Sequence, residues 1–285
     1  MAELKKKEPL GGFVALGVDV GFSTDVGRVR TKNEDNYFVC DPGMHDISNR
    51  GMFFAVADGM GGHHGGEMAS HLAIETVGHF FEDAPTQEPL LEDFVAKLIE
   101  KANDAIFTKA TGEPDLARMG TTLTVGHLAN RRRLTLWHIG DCRAILVRKG
   151  ELRQITNDHS LVADQLRLGI ITAEEAASHP ARNVITRALG TRRAVKADVY
   201  CEELEAGDRI LICCDGLHGV VHEKDLVEIL LSAPSSQEAC KRLTERANEL
   251  GGPDNITAVV VHIQRPRAFW TWLKGVFGPG HNGQV

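Results

Sequence analysis

The sequence lacks any apolar run approaching the roughly 18 residues that cross a bilayer. Its first residues, Met1 to Glu8 with Lys5, Lys6 and Lys7, carry no apolar stretch of the kind that forms a secretory leader. Cytoplasmic placement is the expectation. The six cysteines, Cys40, Cys142, Cys201, Cys213, Cys214 and Cys240, contain no C-x-x-C pair, which argues against a cysteine zinc site or a disulfide framework. They are expected to be reduced and buried. Basic residues are in deficit: 32 Lys and Arg face 39 Asp and Glu, a net charge of −7, so broad neutralisation of nucleic-acid phosphates is excluded. The G-x-x-x-x-G-K-[ST] nucleotide cradle is missing, as is any internal repeat or low-complexity block.

What is present is ample material for a packed core, with 42% hydrophobic and 25% charged residues among 285. The mixture of β-branched runs and helical patterns continues from 13 to 264, read as one domain between a tail at 1–12 and another at 265–285. Strand-like runs fall at Val14–Val20, Tyr37–Cys40, Met52–Ala57, Thr121–Val125, Leu134–Ile139, Ala144–Val147, Ile210–Cys214 and Ile256–Ile263. Several connections are too short for a crossover helix, which predicts mainly antiparallel pairing. Ala69, Leu72, Ala73, Val77 and Phe80 recur at helical spacing, and Leu91 to Ile106 continue it. Asp225–Leu231 and Gln237–Leu250 predict a second helix pair, and Thr172 with Glu175 predicts a capping box within 161–187, a segment read as a flap. Each helix stripe needs a sheet face to cover, so the expected fold is α+β: a four-layer α-β-β-α sandwich, two antiparallel sheets flanked by helix pairs.

The acids carry the functional signal. Phe53–Ala57 runs into Asp58-Gly59, Ile210–Cys214 into Asp215-Gly216, and Leu136–Ile139 into Gly140-Asp141. Conversely, Glu34-Asp35 precedes Tyr37–Cys40, and Asp254-Asn255 precedes Ile256–Ile263. In an antiparallel sheet the end of one strand lies beside the start of the next, so Glu34, Asp35, Asp58, Asp141, Asp215 and Asp254 can converge on one edge. Six like charges repel unless cations compensate, and an oxygen-only donor set selects hard divalent ions, Mg²⁺ or Mn²⁺, over zinc. Setting these six aside leaves 33 acids against 32 bases, a charge of −1, so the acidic balance belongs mainly to the site.

Arg30-Thr-Lys-Asn-Glu34-Asp35-Asn36, Ala57-Asp58-Gly59-Met60-Gly61-Gly62-His63, Met119-Gly120-Thr121-Thr122, Gly140-Asp141-Cys142-Arg143, Asp215-Gly216 and Gly252-Pro-Asp254-Asn255-Ile256-Thr257 occur in this order. As a set they resemble the bacterial type 2C (PPM) metal-dependent protein phosphatases, from about Phe13 to Ile263. The resemblance implies hydrolysis of phosphoserine or phosphothreonine in proteins that Ser/Thr kinases modify. It implies two divalent ions, with Asp58 bridging them. Asp215 and Asp254 would complete one ion, and Glu34 with the Gly59 carbonyl would serve the other. Asp35 would orient metal-bound water, and Asp141 resembles the residue that shares a weaker third ion with Asp215. Arg30 matches the phosphate-binding arginine, whose planar fork can hold two phosphoryl oxygens. Met60 stands where eukaryotic relatives carry a candidate acid histidine, and His63 and His64 are the nearby candidates for that proton.

Two other readings are open to test. Cys142 with Arg148 and Cys240 with Arg246 match Cys-x5-Arg formally, but both stretches read as regular secondary structure rather than a phosphate-cradling loop. The second is a catalytically silent phosphatase-like regulatory or binding module. The protein is expected to act as a monomer. Segment 265–285 carries Phe269, Trp270, Trp272, Leu273, Val276 and Phe277 with Arg265, Arg267 and Lys274 and no acid. It suits contact with a partner or an anionic membrane surface, or packing on its own domain.

Overall fold

Strand alternation builds two separate cores. The computed structural model describes residues 12–43, 47–61, 64–81, 88–177 and 179–265. In chain order its elements are β1 (Phe13–Ala15), β2 (Val18–Asp25), β3 (Asp35–Val39), α1 (Ile47–Arg50), β4 (Met52–Met60), α2 (Gly65–Phe81) and α3 (Glu88–Gly112). There follow β5 (Gly120–Thr121), β6 (Leu123–Ala129), β7 (Arg133–Ile139), β8 (Arg143–Arg148), β9 (Glu151–Gln154), α4 (Leu161–Arg167) and α5 (Ala173–Ala177). The chain continues through β10 (Asp198–Glu203), β11 (Arg209–Cys213), α6 (Asp215–His218), α7 (Glu223–Ser232), α8 (Ser236–Glu249) and β12 (Ile256–Ile263). One sheet has the order β1-β2-β12-β11-β8-β9 and the other β10-β7-β6-β4-β3, with β5 paired to β4.

Strand β12 shows why there are two cores. Val259, Val261 and Ile263 join the apolar cluster between the sheets, whereas Ile256, Ala258 and Val260 join the cluster under α7 and α8. Residues two apart share a face, so one strand serves both layers. Ala144 and Leu146 of β8 likewise face the first cluster, and Ile145 and Val147 the second. On the far side, α2 packs on β3 and β4 and is itself packed by α3, giving the expected order of helix, sheet, sheet and helix. All ladder pairings are antiparallel.

Two readings of the strands and one of the cysteines are corrected. Val14–Val20 is a hairpin and not one strand: Leu16 and Gly17 take φ of 50° and 72°, and β1 turns back on β2 with Ala15 opposite Val18. Strand β10 went unpredicted because its residues alternate between half-buried and exposed along a sheet edge, leaving no apolar run to read. Cys201 lies on that strand and is exposed, unlike the other five cysteines. Within 161–187, Thr172 and Glu175 do form the reciprocal cap: the Thr172 N–H donates to Glu175 Oε2 at 2.8 Å and the Glu175 N–H to Thr172 Oγ1 at 3.2 Å. The base of this segment is fastened by Leu161 N–H to Val184 O at 2.9 Å and Thr186 N–H to His159 O at 2.8 Å.

Helix α8 is seated on β2 by a buried carboxylate. Asp19 accepts from the Ser236 N–H at 2.8 Å, and its carbonyl accepts from the Ser236 hydroxyl at 2.8 Å. Asp19→Ala would strand a buried helix-terminal N–H. It is expected to cost about 2–3 kcal/mol in chemical denaturation, against about 1 kcal/mol for Ser236→Ala. The double variant should fall short of their sum, because both remove parts of one contact.

Candidate metal centre

Asp35 and Asp58 are direct cross-strand partners in the β3–β4 ladder. Strand β4 does not stop at Ala57 as the apolar run suggests; pairing with β3 and β5 carries it through Asp58 and Gly59 to Met60. The main chain of Asp58 is fully committed. Its N–H donates to Thr122 Oγ1 at 2.9 Å, and its carbonyl accepts from the Thr122 N–H at 2.9 Å and the Thr121 hydroxyl at 2.8 Å. Gly59 must be glycine, because a Cβ there would stand 2.1 Å from the Gly66 carbonyl oxygen and 2.5 Å from that of Glu34. The first turn of α2 can therefore press against the end of β4 and the Glu34 loop.

The other sheet supplies its acids from two adjoining strands. Asp215 opens α6 directly after β11, and Asp254 sits just before β12, the neighbour of β11. Asn255 ties these parts to the Arg30–Glu34 loop. Its Oδ1 accepts from the Glu34 N–H at 2.8 Å, while its Nδ2 donates to Lys32 O at 2.8 Å and Val26 O at 3.0 Å. The sequence shows Asn255 only as a companion of Asp254; nothing in its pattern reveals that its buried amide spans three backbone sites. Ser70 of α2 adds a hydroxyl donated to the Glu34 carbonyl at 2.5 Å. Asp141 occupies the turn from β7 in one sheet to β8 in the other. His218 Nε2 donates to its carbonyl at 3.0 Å.

The structure brings all six predicted carboxylates into one electrostatic unit. Burial pushes the Asp58 carboxyl well above the usual range, and the charges of Asp35, Asp215, Asp141 and Asp254 add to it. Asp35 rises to about 7 through burial, with Asp215 and Asp254 contributing and the nearby Thr257 hydroxyl and Cys214 thiol partly offsetting it. Asp141 also rises to about 7, from burial and then from Asp215 and Asp158. Burial raises Asp215, followed by the charge of Asp254, and burial raises Glu34 despite the opposing Arg30. Both oxygens of Asp35 and Oδ1 of Asp141 are buried with no hydrogen-bond partner. Unpartnered buried carboxylate oxygens that destabilise one another as anions fit a site for hard divalent cations.

Arg30 stands at the rim. Its Nη2 lies 2.8 Å from Asp254 Oδ2, and about half of the side chain is exposed. His64 is also exposed on the rim, where its Nδ1 lies 2.8 Å from the Lys32 ammonium and 3.9 Å from Glu67. His63 lies outside the described residues. The Cys-x5-Arg alternative fails on geometry: Cys142 and Cys240 are fully buried with thiols pushed up by burial, while Arg148 is held by Asp208 and Arg246 by Asp225.

An antiparallel double sheet between helix pairs, with an oxygen-rich acidic centre fed by both sheets, defines a class of metal-dependent hydrolase fold. The sequence pattern of the family described as Protein phosphatase 2C matches residues 28–252. The chain is 37% identical over 243 residues to the serine/threonine phosphatase stp of Listeria innocua, covering 84% of this chain and 94% of that one. It is 42% identical over 253 residues to the serine/threonine protein phosphatase PstP of Mycobacterium tuberculosis, covering 88% of this chain and 46% of that protein, so it spans about half the length of this relative. The crystal structure of the catalytic domain of PstP in complex with two manganese ions superposes with a TM-score of 0.75 at 38% identity, covering 87% of this chain and 99% of that one. The chain belongs to the protein phosphatase 2C family.

A carboxyl whose pKa is raised by folding holds a proton that the unfolded chain has released. Its contribution is present below the unfolded value near 4 and is lost as pH rises through the folded value. Chelator-treated protein is therefore expected to lose thermal stability as pH rises from about 5 to about 8, spanning the values near 7 for Asp35 and Asp141. Added Mn²⁺ or Mg²⁺ should cancel that slope, and scanning calorimetry at fixed ionic strength checks both limbs.

Proposed function

We propose that this chain hydrolyses phosphoserine and phosphothreonine in proteins, reversing the action of Ser/Thr kinases, with two divalent ions, Mn²⁺ or Mg²⁺. The observation that carries the proposal is the convergence of Asp58, Asp215 and Asp254 with Glu34, Asp35 and Asp141 beside a rim arginine. The silent-module reading is disfavoured because this carboxylate set is intact.

Asp58 would lie between the two ions, with Asp215 and Asp254 holding one and Glu34 and the Gly59 carbonyl holding the other. When bound, such ions neutralise the carboxylates, polarise phosphoryl oxygens and lower the pKa of water for attack on phosphorus. Asp35, buried and paired across the ladder with Asp58, would orient water at the ions. Asp141 and Asp215 offer a place for a third ion at the crossing between sheets. Arg30 can turn its planar fork from Asp254 to the phosphoryl oxygens, binding the dianion and offsetting the charge that builds on it. Thr121, Thr122 and Asn255 keep the acids from drifting apart under their mutual repulsion, so the site is prepared before substrate arrives. No cysteine forms a phosphoenzyme in this scheme.

Phosphoproteins are the substrate class. The proposal extends to cytoplasmic action as a monomer, supported by the acidic net charge and by the fact that no helix among the described residues is long and apolar enough to cross a membrane. It also keeps 13–264 as the catalytic unit, with 161–187 as a flap within it, and 265–285 as a contact for a partner or membrane surface. Residues 266–285 lie outside the described residues.

Purified protein is expected to hydrolyse an aryl phosphate and a phosphothreonine peptide with Mn²⁺ and to stop on chelation. Asp58→Ala and Asp215→Asn should each lower kcat by at least about 10³-fold. Arg30→Ala should lower kcat/KM by roughly 10- to 100-fold, the worth of a charge-assisted contact. Cys142→Ser should retain turnover. Activity that needs a cysteine and resists chelators would overturn the mechanism.

A further inference from the structure

One soft donor shares the pocket of Asp35 and Asp58. Cys214, the residue between β11 and Asp215, is fully buried. Its Sγ lies in a cluster with one carboxylate oxygen each of Asp35 and Asp58, all within 4.8 Å of one another. The sulfur is positioned, not loose: the Thr257 N–H donates to it at 3.0 Å, and its own S–H points to the Asn255 carbonyl at 3.3 Å. In the hard-ion reading this thiol only lessens the rise of the Asp35 carboxyl and holds no ion. Beside it, Asp35 is only 5% exposed, yet both its oxygens lack a hydrogen-bond partner. A buried carboxylate with free lone pairs, a second carboxylate and a sulfur is a donor set of a different character from the oxygen-only set around it.

We propose that Asp35, Asp58 and Cys214 form a binding site for a borderline or soft divalent ion of the Zn²⁺ and Cd²⁺ class. The site shares Asp58 with the hard-ion centre, a point that rests on the phosphatase reading above; the soft-ion site itself needs only the three side chains. A tetrahedral zinc ion takes sulfur at about 2.3 Å and carboxylate oxygen at about 2.0–2.2 Å, which places neighbouring donor atoms about 3.3–3.7 Å apart. Donors within 4.8 Å of one another have to close by at most about 1–1.5 Å, a side-chain adjustment, and water completes the fourth position. On binding, the S–H bond of Cys214 breaks, its proton leaves to solvent, and a sulfur–metal bond forms with no change of oxidation state. Mg²⁺ and Mn²⁺ prefer oxygen donors and leave the thiol protonated. An ion held by Cys214 occupies Asp58 and so excludes the hard ions from it, making the identity of the metal an on–off control of the same centre.

Cadmium is the probe, titrated into chelator-stripped full chain in a Cys201→Ser background, because Cys201 is the exposed thiol. The ultraviolet sulfur-to-cadmium charge-transfer band is expected to saturate in this parent. It should be lost in Cys214→Ser and kept in Cys142→Ser, whose buried thiol instead faces Thr122. Asp35→Asn should keep the band but weaken cadmium affinity by about tenfold or more. A band that survives Cys214→Ser, or an affinity unmoved by Asp35→Asn, overturns the site. Circular dichroism checks that each variant is folded; if Cys214→Ser is not, the Asp35→Asn affinity decides. Mn²⁺-supported phosphopeptide turnover of the parent is measured separately. Its absence would defeat the phosphatase reading while leaving the cadmium result to stand or fall alone.

Discussion

The repulsion between carboxylates gathered at one place governs this structure. Asp35 and Asp58 face each other across adjacent strands, and Asp215, Asp254 and Asp141 add their fields to Asp58. A protein that lacked some means of restraining these groups would relieve the strain by moving them apart. Here the restraint comes from neutral groups: Thr121 and Thr122 fix the backbone of Asp58, Asn255 bridges three segments, and the close approach of Gly66 to Gly59 leaves the strand end no room to retreat. The cost of assembling like charges is thus borne by hydrogen bonds and packing laid down elsewhere in the fold.

That arrangement explains why the acids and their supports read so differently from sequence. The carboxylates were legible because each lies where an apolar run begins or ends, and antiparallel pairing then forces such ends together. The layered fold was legible for a related reason, since β12 and β8 divide their alternate residues between two cores. The supporting groups leave no such trace. Thr121, Thr122 and Asn255 act through main-chain contacts 60 or more residues away in sequence, as in the 64-residue separation between Asp58 and Thr122 and the 221 between Glu34 and Asn255.

Errors of reading have the same physical origin. A continuous apolar stretch hid the tight reversal at Leu16-Gly17, because hydrophobicity does not report φ. The edge strand β10 escaped notice because one of its faces is open to solvent and the other only half covered. Strand β4 outlasts its apolar run, since ladder partners on β3 and β5 keep Asp58 and Gly59 extended after the side chains turn polar. For β10 and β4 a contact distant in sequence decides what local composition leaves open.

The acids come from opposite leaves of the sandwich: Asp35 and Asp58 from the β4 sheet, Asp215 and Asp254 from the β11–β12 sheet, and Asp141 from the turn that passes between them. A cation held by Asp58 and Asp215 together would be a rivet through both leaves. Filling the centre would then add to the cohesion of the sandwich as well as prepare its chemistry, because one ion would hold acids from both sheets.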